Sequence, residues 1–272
     1  MTLSLLLVAT LPGAAPAQQN PAALAADRQS YAQWLTTAST SPLSAVAMQR
    51  LTGPVTLGPD TSDIPLMGFG PATIAERNGA VTLAGPDGTL RPLPRGRPVH
   101  VAPWTFLVQG GAGNSVLTVY RTPVGAPPGW YAPIQTLAYS AALEPPTAHD
   151  RRRVLTLDGL EVEAELAGYV TVPLGQPATR LQVMRMPVPG TDETELQIYF
   201  RDLTSGRGSY PAGRFVEVTP VEGGRYRIDF NRARNPFCAY SSVYPCPVPW
   251  PGNSIAAAVE AGEKYLPARK GS

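Results

Sequence analysis

Hydrophobic and polar positions change their period along this chain of 272 residues. Residues 3–11 are mostly apolar. Residues 21–37 place Leu24, Tyr31, Trp34 and Leu35 at helical spacing, with Asp27, Arg28 and Gln33 elsewhere and Pro21 at the start. That pattern predicts one amphipathic helix, ended by residues 39–42 and packed on the domain C-terminal to it. From residue 46 the apolar runs shorten to three or four residues, at 55–57, 64–66, 72–75, 80–83, 99–101, 105–108 and 116–119. Turn-forming stretches stand between them, and Asn78-Gly79 is a hairpin signal because both residues accept positive φ. Seven short strands predict a small β-sandwich over residues 46–121.

Residues 122–129, with three prolines, read as a linker. A second series of runs comes next, at 135–142, 153–157, 161–173, 180–186, 195–202, 213–218 and 225–230. In 195–202, Leu196, Ile198 and Phe200 alternate with Gln197, Tyr199 and Arg201, and Tyr226, Ile228 and Phe230 alternate with Arg225, Arg227 and Asp229. This predicts antiparallel strands with one wet face each. In residues 255–262 three alanines favour a helix, while Ile255, Ala257 and Val259 alternate; the expectation is a strand. The chain therefore reads as all-β: a helix, a small N-terminal β-sandwich, then a second antiparallel β barrel or sandwich over residues 130–266.

Composition supports that class. With 31 Pro and 26 Gly, interiors of long helices are disfavoured. Charged residues make up 15%, and the net charge is +2 with signs interspersed. Arg151-Arg152-Arg153 forms the basic run, which suits a solvated strand edge, so no nucleic-acid partner is expected. The apolar run before Pro12-Gly13 is too short to span a bilayer, and no transmembrane segment is expected. With Ala15-Pro16-Ala17 behind it, the run reads as a signal peptide of residues 1–17 lacking a basic start, which predicts export to the periplasm or the extracellular space.

Cys238 and Cys246 form an even pair in a chain read as exported, so a disulfide closing a Pro-rich loop is expected. The alternatives are a metal site, for which His100 and His149 lie far off in sequence, and a cysteine nucleophile, which has no nearby His as base. Ser205, in Thr-Ser-Gly, lacks a nucleophile-elbow context. No phosphate-binding or dinucleotide fingerprint occurs, and neither a metal nor a cofactor is expected.

The second half carries unusual strings in order: Arg-Asp-x-Thr-Ser-Gly from 201, Tyr-x-x-Gly-Arg-Phe from 210, Asp-Phe-Asn-Arg-Ala from 229, Asn-Pro-x-Cys-Ala from 235, Cys-Pro-x-Pro from 246 and Ala-Gly-Glu-Lys from 261. Together they resemble domain-of-unknown-function family 1684, an uncharacterised prokaryotic family. The resemblance implies candidate positions and no reaction. It departs from the family at Val248-Pro249-Trp250 and at Ala233-Arg234, without losing a polar motif group. Residues 55–66 resemble the opening of a forkhead-associated domain, but Pro59 stands after Gly58 and the family's Ser-x-x-His is missing, so phosphopeptide binding is not carried over.

The candidate set is Arg201, Asp202, Tyr210, Arg214, Asp229, Asn231, Arg232, Asn235, Asn253, Glu260 and Glu263. One reading is a hydrogen-bonded network tying loops together. The other is a pocket in which arginines fork onto an anion and carboxylates supply acid–base groups. Three functions are compatible with it: a protein binding a small anionic ligand or an envelope component; a hydrolase or lyase using paired carboxylates, Asp229, Glu260 or Glu263 with Tyr210; or a structural interaction protein. The sharpest expectation is that Arg201 and Arg214 share one polar site with Asp229, leaving positive charge for an anion.

Overall fold

The computed structural model describes residues 14–18, 20–188 and 193–265. Residues 1–13 of the expected signal peptide lie outside the described residues. Its end does not: Ala15–Pro16 (β1) is paired at the edge of the large sheet described below. The helix α1 (Pro21–Thr37) covers the predicted range. Asn20 caps it, accepting from the Ala23 N–H at 3.1 Å, and Pro21 takes a first-turn position that needs no N–H donor. Leu24, Tyr31 and Leu35 are its buried stripe, and it ends where the Ala38 N–H donates to the Trp34 carbonyl.

A small sandwich comes after the helix. One sheet has the order β2 (Ala45–Arg50), β10 (Val116–Tyr120), β9 (Trp104–Gln109), β8 (Val99–Val101). The other has the order β4 (Ile64–Pro65), β3 (Val55–Gly58), β5 (Ala72–Arg77), β6 (Ala80–Ala84), β7 (Leu90–Pro92). Asn78 and Gly79 turn β5 into β6 with φ of 50° and 78°. Leu57, Ile74, Leu83, Phe106, Leu117 and Val119 form the core between the sheets. All seven expected strands are present. β2 and β7 were not foreseen, because β7 is exposed throughout and β2 shows no alternation of burial.

The second unit is a barrel. Its strands are β11 (Ala138–Ala142), β12 (Arg151–Leu155), β13 (Glu161–Val172), β14 (Thr179–Pro187), β15 (Thr194–Phe200), β16 (Arg214–Val221) and β17 (Arg225–Asp229). The sheet order is β1-β11-β17-β16-β15-β14-β13-β12. It closes where Glu144, just beyond β11, exchanges two backbone hydrogen bonds of 2.8 and 2.9 Å with Tyr169 of β13. Gly168, at φ 150°, makes this approach feasible, since a Cβ there would strike the Glu144 carbonyl. The contact brings the sheet round on itself, β1 and β12 remain its outer strands, and apolar side chains such as Val170, Leu181, Ile198, Phe200, Val216 and Ile228 fill the interior.

Two expectations need correction. The strands do not each keep one wet face: Met184, Tyr199 and Phe215 point away from the interior yet are buried under Trp250. The loop carrying both cysteines lies across that face, and the Tyr199 hydroxyl donates to the Pro247 carbonyl at 3.2 Å. Residues 255–262 are not a strand. Ile255, Val259 and Ala261 are buried in the barrel core, but the segment's backbone bonds to loop groups: Ile255 N–H to Arg201 O, and Val259 N–H to the Asp202 carboxylate. Gly262, at φ 73°, lets the segment pass within a Cβ's reach of the Phe230 and Ala233 carbonyls. This segment plugs one end of the barrel.

Candidate functional site

At that plugged end the sequence motifs converge. Arg214 lies opposite Phe200 in the β15–β16 register, so it points inward with Val216 and Val218, and it is fully buried. One terminal guanidinium nitrogen donates to the Val259 carbonyl at 2.9 Å and to Asp202 at 3.2 Å; the other donates to the Ala261 carbonyl. The other Asp202 oxygen accepts from the Thr204 N–H, the Thr204 hydroxyl and the Val259 N–H at 3.1, 2.8 and 2.7 Å. Burial lowers the Arg214 pKa, and Asp202 opposes the shift. A buried charge is tolerable only when paired and hydrogen-bonded in this way. The Arg-Asp-x-Thr-Ser-Gly string therefore ties the 202–209 loop to the plug.

A second knot lies alongside. Glu263 is fully buried; one oxygen accepts from the Asn235 N–H at 2.8 Å and the other from the Tyr240 hydroxyl. Burial raises its pKa to about 7, against the hydrogen bonds from Tyr240 and Asn235. The Tyr240 hydroxyl meets that of Tyr31 on α1 at 3.4 Å. The helix is clasped further by Asp27 to Arg234 at 3.0 Å and to Arg232 at 3.3 Å, and by Arg28 donating to the Asn231 carbonyl at 2.9 Å. Asn235 also donates to the Lys264 carbonyl.

The remaining candidates are dispersed. Asp229 pairs with Arg227 at 2.8 Å and accepts from Asn231, whose amide in turn makes paired hydrogen bonds with the Ile134 backbone. Arg232 approaches Asp229 at 3.8 Å. Asn253 bonds to both backbone groups of Gln182 and to the Tyr199 carbonyl, holding β14 and β15 where their own pairing has lapsed. The Tyr210 hydroxyl donates to the Cys238 carbonyl and meets Cys246 Sγ, and the two cysteines are bonded with Cα atoms 5.5 Å apart. Glu260 is exposed. The structure does not bring Arg201, Arg214 and Asp229 together. Arg201 is exposed and one residue on from Phe200, so strand alternation sends it to the opposite face from Arg214. Asp202, not Asp229 or a glutamate, answers the Arg214 charge.

An open cleft lies elsewhere, where α1, the sandwich and the barrel meet. Its volume is about 340 Å³. Trp34 of α1, Phe237 and Tyr244 form a continuous aromatic wall, with centroids 5.9 and 5.4 Å apart. Tyr120 of β10 joins them, in a small apolar cluster that seats the cysteine loop on the sandwich. Facing the aromatics are Asp158, from the β12–β13 turn, and Glu195, from β15. Asp158 accepts from Gln109 Nε2 at 3.2 Å and from the Thr156 hydroxyl; Glu195 accepts from Gln197 Nε2 at 2.7 Å. Burial raises the Glu195 pKa, and nearby Glu217 and Asp158 add to the shift. Gln197 Oε1 is buried without a hydrogen bond, and the buried Tyr244 hydroxyl is partnered by that of Tyr120. Sequence reasoning named none of these residues as a site. No spacing links positions 34, 109, 158, 195 and 244, and the available hint was a polar strand face at Glu195 and Gln197.

Comparison with curated proteins gives no match. Among solved structures, the chain is similar to an uncharacterized protein of Haloarcula marismortui determined by solution NMR, with 29% identity, a TM-score of 0.43, and coverage of 51% of this chain and 76% of that one. The family described as "Protein of unknown function (DUF1684)" matches residues 129–264, half of the chain and the whole of the motif-bearing barrel, and the chain belongs to that family.

Proposed function

We propose that this is an exported binding protein whose ligand, small and polar, sits in the junction cleft. The observation behind this reading is the contrast between spent and unspent polar groups. The terminal nitrogens of Arg214 and both oxygens of Asp202 are engaged within the fold, whereas the cleft holds a buried carbonyl oxygen without a hydrogen bond, Gln197 Oε1, beside an aromatic wall. Concave, largely apolar sites with a few convergent polar groups are the usual seats of small ligands. An anion at the arginines lacks this support, because Asp202 already balances Arg214. Export draws support from the apolar 3–11 run, the Ala15-Pro16-Ala17 end and the disulfide. Cleavage before Gln18 would also remove β1 and free the β11 edge.

A catalytic reading has one observation in its favour, a carboxyl with raised pKa at Glu195 beside a second carboxylate at Asp158, the arrangement acid–base hydrolysis uses. The test of the binding reading is amide chemical-shift mapping on the labelled full chain with mixtures of sugars, amino acids and amines. Shifts gathered at Gln109, Asp158, Gln197 and Tyr244 are expected. Shifts gathered instead around Arg201 and Glu260, or none at the cleft, would refute it.

A further inference from the structure

We infer that the junction cleft takes a primary ammonium group, as carried by an amino sugar, an amine-bearing headgroup or a polyamine; this rests on the reading of the cleft as the ligand site. Charge comes first. Among the described residues no Lys, Arg or His lines the cleft, while Asp158 and Glu195 do. Glu217 stands in register with Gln197 on the neighbouring strand and adds to the negative field there. An anion would be repelled from this wall, and a cation drawn to it.

Hydrogen-bond accounting points the same way. Gln109 and Gln197 each turn their amide nitrogen onto a carboxylate. Gln197 is left presenting a buried carbonyl oxygen with no donor. A carboxylate is acceptor-only, so this side of the cleft asks its ligand for N–H or O–H groups. An ammonium supplies three.

The opposite wall fits as well. Aromatic faces are electronegative and attract cations, more strongly when water is excluded. Tyr244 is 4% exposed, and its hydroxyl is partnered by that of Tyr120, which leaves the ring as its contribution to the wall. A quaternary ammonium would satisfy the aromatic faces but leave the Gln197 oxygen without a donor, which is why the inference is to a primary amine.

Titration calorimetry on the full disulfide-bonded chain tests this with glucosamine, ethanolamine and putrescine, each against its N-acetylated counterpart, and with choline. At least one amine is expected to bind about tenfold or more tightly than its acetylated form and than choline. Glu195→Gln and Asp158→Asn should each remove about tenfold of that affinity while the folded chain keeps its circular dichroism. The wild-type comparison stands even if a variant misfolds. No heat from any of the three amines up to about 10 mM, or equal binding of an acetylated form, overturns the inference. A neutral compound that shifts the cleft amides while the amines do not would overturn the ammonium inference and leave the cleft reading standing.

Discussion

Replacing Arg214 by Gln tests whether the motif at the plugged barrel end is architecture. The side chain is fully buried, and its removal leaves the Asp202 carboxylate, which is equally enclosed, without its countercharge. The Val259 and Ala261 carbonyls lose their donor at the same stroke. Breaking a buried pair by removing one partner costs about 3–5 kcal/mol. For a unit of this size each kcal/mol moves the melting temperature by roughly 2–4 °C, so a fall on the order of 10 °C is expected. Thermal unfolding monitored by circular dichroism, with urea titration for the free energy, measures it. The double variant Arg214→Leu with Asp202→Leu removes both charges, and should recover part of the loss through a coupling of roughly 0.5–3 kcal/mol. A single Arg214→Gln variant that melts within about 2 °C of the parent would refute the architectural account.

Two other expectations concern the same end of the barrel and the loop beside it. Glu263 ionises near its ordinary 4.5 in the unfolded chain and near 7 when buried, so the fold loses stability as pH rises through that interval, by roughly 3 kcal/mol on completion. Melting temperatures taken from about pH 5 to pH 8 should fall, and Glu263→Gln should flatten the slope; an unchanged slope in that variant would count against the assignment. The Cys238–Cys246 bond closes a short loop, for which the chain-entropy model gives about 2.5 kcal/mol. The double Ser variant should be destabilised by up to that amount, and the unreduced, denatured protein should show no free thiol; two free thiols would remove the bridge.

Much of the fold was legible in the local pattern. Helix α1 was bounded by an N-cap and a Pro at one end and a change of period at the other, both properties of neighbouring residues. The barrel strands β13 to β17 alternate visibly because one face packs on Val170, Ile198 and Ile228. Where burial does not alternate, the pattern was silent: β7 is exposed on both faces. The 255–262 plug misled for the opposite reason. Its apolar residues are spaced by the shape of the barrel mouth, and its backbone partners, Arg201 and Asp202, lie more than fifty residues away.

Composition and motif order alone indicated the β class, the disulfide and the family, and placed Arg214, Asp202 and Glu263 in a set of eleven candidates whose sharpest grouping, Arg201 and Arg214 with Asp229, the structure separates. They did not determine what those residues face. Arg201 and Arg214 flank one connection in the chain, yet the register of β15 against β16 puts one in water and the other in the core. The cleft is further still from local reading. Trp34, Gln109, Asp158, Glu195 and Tyr244 come from a helix, two different β units and a disulfide loop, and they become neighbours only when α1 and the sandwich dock on the barrel. Periodicity reports which face of an element is buried, because that is set within a few residues. Which side chains meet across elements depends on register, closure and docking, and those are settled by contacts between distant parts of the chain.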